Sequence, residues 1–184
     1  MKNNSKILKV CLIGVMAAAV YVSSAFLQIP IPTAIGNTRI HMGNVMCILS
    51  GLLLGPLSGG LAAGLGSMLF DLLNPLYITS APFTFVFKFI MAWLCGIIAH
   101  SKKENANIHL RYVLGAVCGS LSYVVLYLTK GFIEDRFILG HALELALGEV
   151  ATKSIVSLVN AIVAVAVAVP LSYAIRPILK KFNI

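Results

Sequence analysis

The residues able to do chemistry in this chain are few, and their spacing suits the holding of a polar small molecule better than the making or breaking of bonds. In RIHMGNVMCILSGLLLGPLSGGLAAGLGSMLFDLLNP, from Arg39 to Pro75, two glycine-rich apolar segments meet at Gly55-Pro56 and carry polar residues only at their far ends. A turn over Gly55 to Gly59 returns Asp71 and Asn74 to the end that holds Arg39, His41 and Asn44. Lys88, Glu149, Lys153 and Asn160 fall inside later apolar runs, where an ionisable group is costly and raises a functional hypothesis. Arg39, Lys88 and Lys153 favour a carboxylate or phosphate, while Glu149 and Asp71 could cancel two of those charges. The alternative is internal pairing, Glu149 with Lys153 at i, i+4 and Asp71 with Lys88 or Arg39, which would only neutralise buried charge. Tyr77 and Phe83 flank the start of the run that holds Lys88 and could stack on a flat ring, or serve as an interfacial aromatic belt. Trp93 lies deeper in that run.

Other chemistries lack their residues. Cys11, Cys47, Cys95 and Cys118 lie in separate apolar segments with no C-x-x-C spacing, and His41, His100, His109 and His141 are scattered along loops and helix ends without an H-E-x-x-H motif. No metal or cofactor is expected. A G-x-S-x-G elbow, a paired acidic motif of the kind that holds magnesium for lipid phosphotransfer and a G-x-x-x-x-G-K-[ST] loop are missing, so the chain reads as neither an enzyme nor an ATPase of that kind.

The elements that must position these residues are helices in lipid. Hydrophobic residues make up 59% of the chain, charged residues 11%, and the mean hydropathy is +0.96. The 184 residues suit one domain, 1–184, and at about 20 to 25 residues per span they allow about six spans. Apolar runs place them near Ile7–Phe26, Gly43–Leu54, Leu57–Leu73, from Ala81-Pro82 to before Ser101, Arg111–Thr129 and Leu145–Ile175. Runs such as IVAVAVAV are apolar at both parities, against a membrane barrel, and every segment is expected to be helical. The expectation is an all-α polytopic membrane protein with six transmembrane helices. Gly43–Leu54 is too short to span alone, at about 18 Å against about 30 Å of hydrocarbon, which suggests a cavity at one of its ends.

Lys and Arg set the orientation. Starting inside, Lys2, Lys6, Lys9, Lys102, Lys103, Arg111, Arg176, Lys180 and Lys181 fall on the cytoplasmic side, with Arg39, Lys130, Arg136, Asp71, Glu134, Asp135 and Glu144 outside. Both termini are expected in the cytoplasm of a cell whose plasma membrane holds the protein. The net charge of +8 follows from this bias, so nucleic acid is not an expected partner. The N-terminus imitates a signal peptide, but cleavage would put the termini on opposite sides while Lys102 and Lys103 still mark an inside loop, so it is read as a retained first helix.

Small residues recur at four-residue spacing through Gly51, Gly55, Gly59, Ala63 and Ser67, through Gly60 and Gly64, and through Gly115 and Gly119, as close helix packing in lipid requires. Gly14 with Ala18 and Ala19 with Ser23 make a further small face on the first segment, suited either to internal packing or to a separate protein. The loop IPIPTAIGNTRI, stiffened by two prolines, is long enough to form a lid that moves when substrate enters.

Together, the small-residue first helix, the proline-rich outer loop and the hairpin R-I-x-x-G-N…G-x-x-x-G-P-x-x-G-G…D-L-L-N-P resemble the substrate-binding S components of energy-coupling factor (ECF) vitamin transporters. The resemblance covers nearly the whole chain and is to the general family with folate, pantothenate and pyridoxine members, which no motif here separates. It implies a high-affinity binding subunit of an ATP-driven importer for a water-soluble vitamin or related micronutrient. It further implies a lid made by the first outer loop, a membrane coupling (T) subunit and two cytoplasmic ATPases as partners, and substrate release by toppling in the bilayer. In that family an A-x-x-x-A pattern on the first helix contacts the coupling subunit; here Gly14-x-x-x-Ala18 and Ala19-x-x-x-Ser23 stand in its place. The alternative from the residues alone is a small stand-alone ion-coupled carrier with Glu149, Lys153 and Asp71 as its proton relay.

Overall fold

The computed structural model of the chain describes residues 2–101 and 107–181. Lys102 and Lys103 lie outside the described residues, as do the side chains of Lys2, Lys180 and Lys181. Six α-helices follow in order: α1 (Lys2–Phe26), α2 (Gly43–Leu54), α3 (Pro56–Leu72), α4 (Ala81–Ala99), α5 (Ile108–Ile133) and α6 (Leu143–Lys181). Four of them, with their flanking turns, are long and apolar enough to cross a membrane: Lys6–Phe26, Ile78–Ala99, Ile108–Ile138 and Leu143–Ile178. This is an α-helical polytopic membrane protein.

One segment departs from the all-helical expectation. The proline-rich stretch between α1 and α2 is an antiparallel ribbon of β1 (Gln28–Pro32) and β2 (Asn37–His41), with Gln28 opposite His41 and Pro32 opposite Asn37. Pro30 and Pro32 have no N–H to give to a ladder, which confines such a strand to an edge. A two-stranded ribbon meets that condition, because β1 needs no neighbour on its other side. A second departure lies after α5, where Glu134–Ile138 winds as a π-helical turn.

α2 is the centre of the bundle. It packs against α1, α3, α4, α5 and α6, and Val45, Cys47, Ile48, Leu49 and Leu52 are all buried in the core. Protein packed around most of it, with only its last residues open to a recess, is what makes a 12-residue apolar helix tolerable at membrane depth. The turn into α3 is shorter than Gly55 to Gly59: Gly55 alone reverses the chain at φ 79°, and Pro56 already opens α3. Only glycine adopts that φ without strain. Close approach also explains Gly51, where an added Cβ would lie 2.4 Å from the Ala92 carbonyl oxygen of α4. The recurrent small residues of α2 and α3 are thus seams between helices, as membrane packing requires.

Candidate functional site

A cavity of about 380 Å³ opens at the end of the bundle that carries the ribbon. Its wall combines the end of α1, β2, the last turns of α3, the first turns of α4, the second half of α5 and the first half of α6. Each helix contributes through residues at helical spacing. α4 turns Phe83 and Phe87, and one position on Thr84 and Lys88, toward the cavity. α5 supplies Tyr123, Tyr127 and Lys130, the π-helical turn that follows it supplies Glu134, and α6 supplies Lys153, Ser157 and Asn160.

Seven of the sequence candidates form part of this wall: Arg39, His41, Asp71, Tyr77, Lys88, Lys153 and Asn160. Arg39 is held from several directions. Its guanidinium lies 4.0 Å from the Phe70 ring centre and 4.6 Å from that of Tyr77, its Nη2 is 3.6 Å from Asp71 Oδ1, and its Nη1 donates to Gln28 Oε1 at 3.0 Å. Lys88, buried, donates to Asn44 Oδ1 and sits 3.4 Å from the Tyr123 ring centre. His41 is buried on β2, and its Nδ1 has no protein partner among the described residues. Burial pushes its imidazole well below the ordinary 6.5, and Lys88 and Arg39 push the same way, so the ring is neutral at physiological pH.

Asn44, Asn74 and Glu149 stand outside the wall, each for a local reason. Asn44 is spent on Lys88, and Asn74 Oδ1 accepts from the backbone N–H of Leu76 within its own turn. Glu149, fully buried, reaches into the ribbon's tip: Thr33 Oγ1 donates to Oε1 at 2.5 Å and Ile35 N–H to Oε2 at 3.2 Å. Lys153 Nζ lies 3.0 Å from Glu149 Oε1 and 3.5 Å from Asp135 Oδ2, the latter on the π-helical turn.

Asn160, three turns along the same face of α6, grips the base of the ribbon. His41 N–H donates to Asn160 Oδ1 at 3.0 Å, and Asn160 Nδ2 donates to the Arg39 carbonyl at 2.8 Å. The ribbon therefore lies over the cavity fastened to α6 at both ends, by a carboxylate at its tip and an amide at its root.

Charge in the cavity is balanced over the cluster, though not pair by pair. Four cations line it, Arg39, Lys88, Lys130 and Lys153, with two carboxylates, Asp71 and Glu134; Glu149 and Asp135 stand behind Lys153, which brings the carboxylates to four. Arg39 meets Asp71, Lys130 meets Glu134 at i, i+4, and Lys153 meets Glu149 and Asp135. Only Lys88 among the lining cations has no carboxylate within 4.0 Å among the described residues. Both forms of the pairing alternative, Glu149 with Lys153 and Asp71 with Arg39, are therefore present, and Arg39, Asp71 and Lys153 still line the cavity.

Sequence reasoning passed over the α5 wall. Tyr123, Tyr127, Lys130 and Glu134 recur at i, i+4, i+7 and i+11, one face of a helix, and the rings of Tyr123 and Tyr127 stack 5.8 Å apart at 16°. That periodicity was the available signal. Trp93, by contrast, lies away from the cavity wall.

Of the small pairs on α1, Gly14 and Ala18 are exposed, and an added Cβ at Gly14 would meet nothing within 4 Å. Ala19 is half-buried and Ser23 is buried, its hydroxyl donating to the Ala19 carbonyl at 2.7 Å. The two pairs therefore lie on different faces.

The cavity is of small-molecule size, lies at one end of an apolar helix bundle, is bordered by the ribbon, and has no cluster suited to a metal ion among the described residues. The family model for the S component of ECF-type riboflavin transporters matches residues 4–177. The chain belongs to that family. It is accordingly a substrate-binding subunit of a membrane transporter rather than an enzyme, and a chain of this family works with the partners of an ECF module on a vitamin-like substrate. The match names a riboflavin branch, which the folate, pantothenate and pyridoxine members of the resemblance did not include. The S component is also similar to a Pyrococcus woesei protein described as an uncharacterized protein in gap 3'region, at 36% identity over 123 residues, 65% of this chain and 80% of that protein.

Proposed function

We propose that the chain is the high-affinity riboflavin-binding subunit of an ATP-driven ECF importer in the plasma membrane, with six spanning helices and both termini in the cytoplasm. The observation that carries the ligand is the cavity itself. Its volume falls in the range of about 300–1,000 Å³ usual for small-molecule sites, and its formal charges sum to zero over the cluster although Lys88 has no carboxylate of its own, which suits a ligand that is polar but uncharged. Riboflavin has a flat tricyclic ring and a neutral polyhydroxyl chain. The rings of Tyr123, Tyr127, Phe83 and Phe87 offer faces for the first, and Asn160, Ser157, Thr84, Lys88 and the paired charges offer donors and acceptors for the second and for the ring's polar edge. Asp71, Arg39, His41, Tyr77 and Lys153 complete the shell, with Asn44, Asn74 and Glu149 acting through their neighbours.

In this reading the ribbon is the lid, and the exposed Gly14–Ala18 face of α1 meets the membrane coupling subunit, with Ala19 and Ser23 supporting it from inside. Two cytoplasmic ATPases supply the energy. Riboflavin fluorescence tests the ligand: titration into the detergent-purified chain should quench the flavin at one equivalent, and mass spectrometry should find the vitamin retained through purification. An unquenched flavin, or a different retained vitamin, overturns the riboflavin assignment. Gly14→Leu with Ala18→Leu should leave that quenching intact and abolish uptake in cells carrying the whole module. Uptake driven by a proton gradient in vesicles holding this chain alone would overturn the division of labour in favour of an ion-coupled carrier.

A further inference from the structure

At the other end of α2 a second recess, about 360 Å³, has a composition that vitamin binding leaves unused. Lys9 of α1 and Arg176 of α6 face it across the end of the bundle, with His100 at the end of α4. Leu52, Leu53 and Leu54 form an apolar wall between them. No carboxylate belongs to its described lining, and neither Lys9 nor Arg176 forms an ion pair among the described residues.

Three further observations bear on charge at this recess. Arg176 is placed by an aromatic shelf rather than by an acid: its guanidinium carbon lies 5.3 Å from the Tyr112 ring centre, and Tyr112 stacks on Tyr173 at 5.5 Å and 9°. Burial pushes the His100 imidazole below its ordinary pKa, Arg176 and Arg111 push it the same way, and its bond to the Gly96 carbonyl opposes them. The first turn of α3, Pro56 and Ser58, adds the positive end of a helix to the wall.

We propose that this recess holds the headgroup of an anionic phospholipid, its phosphate between Lys9 and Arg176 and its upper acyl chain along Leu52–Leu54. Basic recesses between membrane helices on the cytoplasmic side take anionic headgroups, because the phosphate finds cations while the chains stay in lipid. A soluble phosphate would leave the leucine wall without a partner, which is why the lipid is the occupant. The assignment rests on the membrane reading and the cytoplasmic placement given under the proposed function.

The test uses the full chain with vitamin bound, placed in nanodiscs of phosphatidylcholine mixed with phosphatidylglycerol and then released into mild detergent for native mass spectrometry. Wild-type protein should retain phosphatidylglycerol with about a tenfold preference over phosphatidylcholine. Lys9→Gln with Arg176→Gln should lose that preference, and Lys9→Arg should keep it. Flavin quenching by the double variant reports that it is folded, so failure of the lipid site and failure of the vitamin site are read separately. Equal phosphatidylglycerol retention by wild type and double variant overturns the proposal. Displacement of the lipid by glycerol 3-phosphate as readily as by phosphatidylglycerol vesicles overturns the choice of a lipid over a free phosphate.

Discussion

The two recesses at the ends of α2 treat charge in opposite ways. At the ribbon end, cations and carboxylates are matched until the cluster sums to zero; at the other end, Lys9 and Arg176 stand with no acid in the described lining. The difference teaches what each can hold. A balanced site is rich in hydrogen-bonding groups yet has little use for net charge, so it selects by shape and by donor–acceptor pattern. An unbalanced site attracts by potential and discriminates little beyond sign. Buried pairs carry a liability too, since removing one member leaves the other desolvated and alone.

Glu149→Ala breaks this contrast most severely, because it strips two hydrogen bonds from the ribbon's tip and leaves Lys153 only Asp135 at 3.5 Å. The lost partner lowers stability, so the melting temperature should drop, and loss of two bonds to a carboxylate, at about 1.5–3 kcal/mol each, should lower riboflavin affinity roughly a hundredfold or more through the freed ribbon. Isothermal titration and a thermal melt check both.

Asn160→Ala leaves the charge balance intact and removes two hydrogen bonds to β2. At about 1 kcal/mol each, affinity should weaken roughly tenfold to thirtyfold, seen in stopped-flow flavin release as a faster dissociation rate. An unchanged rate would deny the ribbon its part in holding the ligand.

Lys88→Met sharpens the comparison by taking away the one lining cation without a carboxylate. Affinity should drop about tenfold while the melting temperature rises, since a desolvated lone charge opposes folding. A fall in both would mean that its contacts with Asn44 and Tyr123 outweigh its desolvation.

His41 gives a smaller, pH-dependent effect. Its folded-state pKa is lowered, so the unfolded chain takes up a proton that the folded one resists. Stability is thus whole above about 6.5 and declines below it, toward the folded-state value, by at most about 1.4 kcal/mol per pH unit. Melts at successive pH values should show this decline in wild type and a flatter profile in His41→Gln. The smallest effect belongs to the far end: Lys9→Gln with Arg176→Gln should change riboflavin affinity less than about twofold, as screening across the bundle implies. A larger change in a titration would mean that the two recesses are coupled.

Much of this architecture was legible in the residues, and the parts that were not share a cause. Apolar runs locate the helices to within a few residues because lipid burial demands long unbroken hydrophobicity, and the turn at Gly55-Pro56 declares itself through residues few other turns need. The ribbon escaped because Pro30 and Pro32 read as loop when strands are judged by their capacity to pair on both edges. Glu149 escaped in a different manner. Its i, i+4 lysine is visible in the chain, but Thr33 and Ile35 lie more than a hundred positions away, and only the closed ribbon brings them to it. Tyr123 and Tyr127 were hidden among apolar neighbours, since a tyrosine in a membrane helix is as easily lipid-facing as ligand-facing.

The brevity of α2 has an electrical consequence. A membrane voltage falls across low-dielectric material and hardly at all across water, so a recess that is free of ligand and open to water would move the aqueous boundary inward. What remains between them is twelve residues of packed helix, about 18 Å against about 30 Å of hydrocarbon elsewhere. With both recesses open to water the membrane potential would fall over about 18 Å rather than about 30 Å, and Lys88, bonded to Asn44 at the start of α2, would feel a correspondingly steeper field.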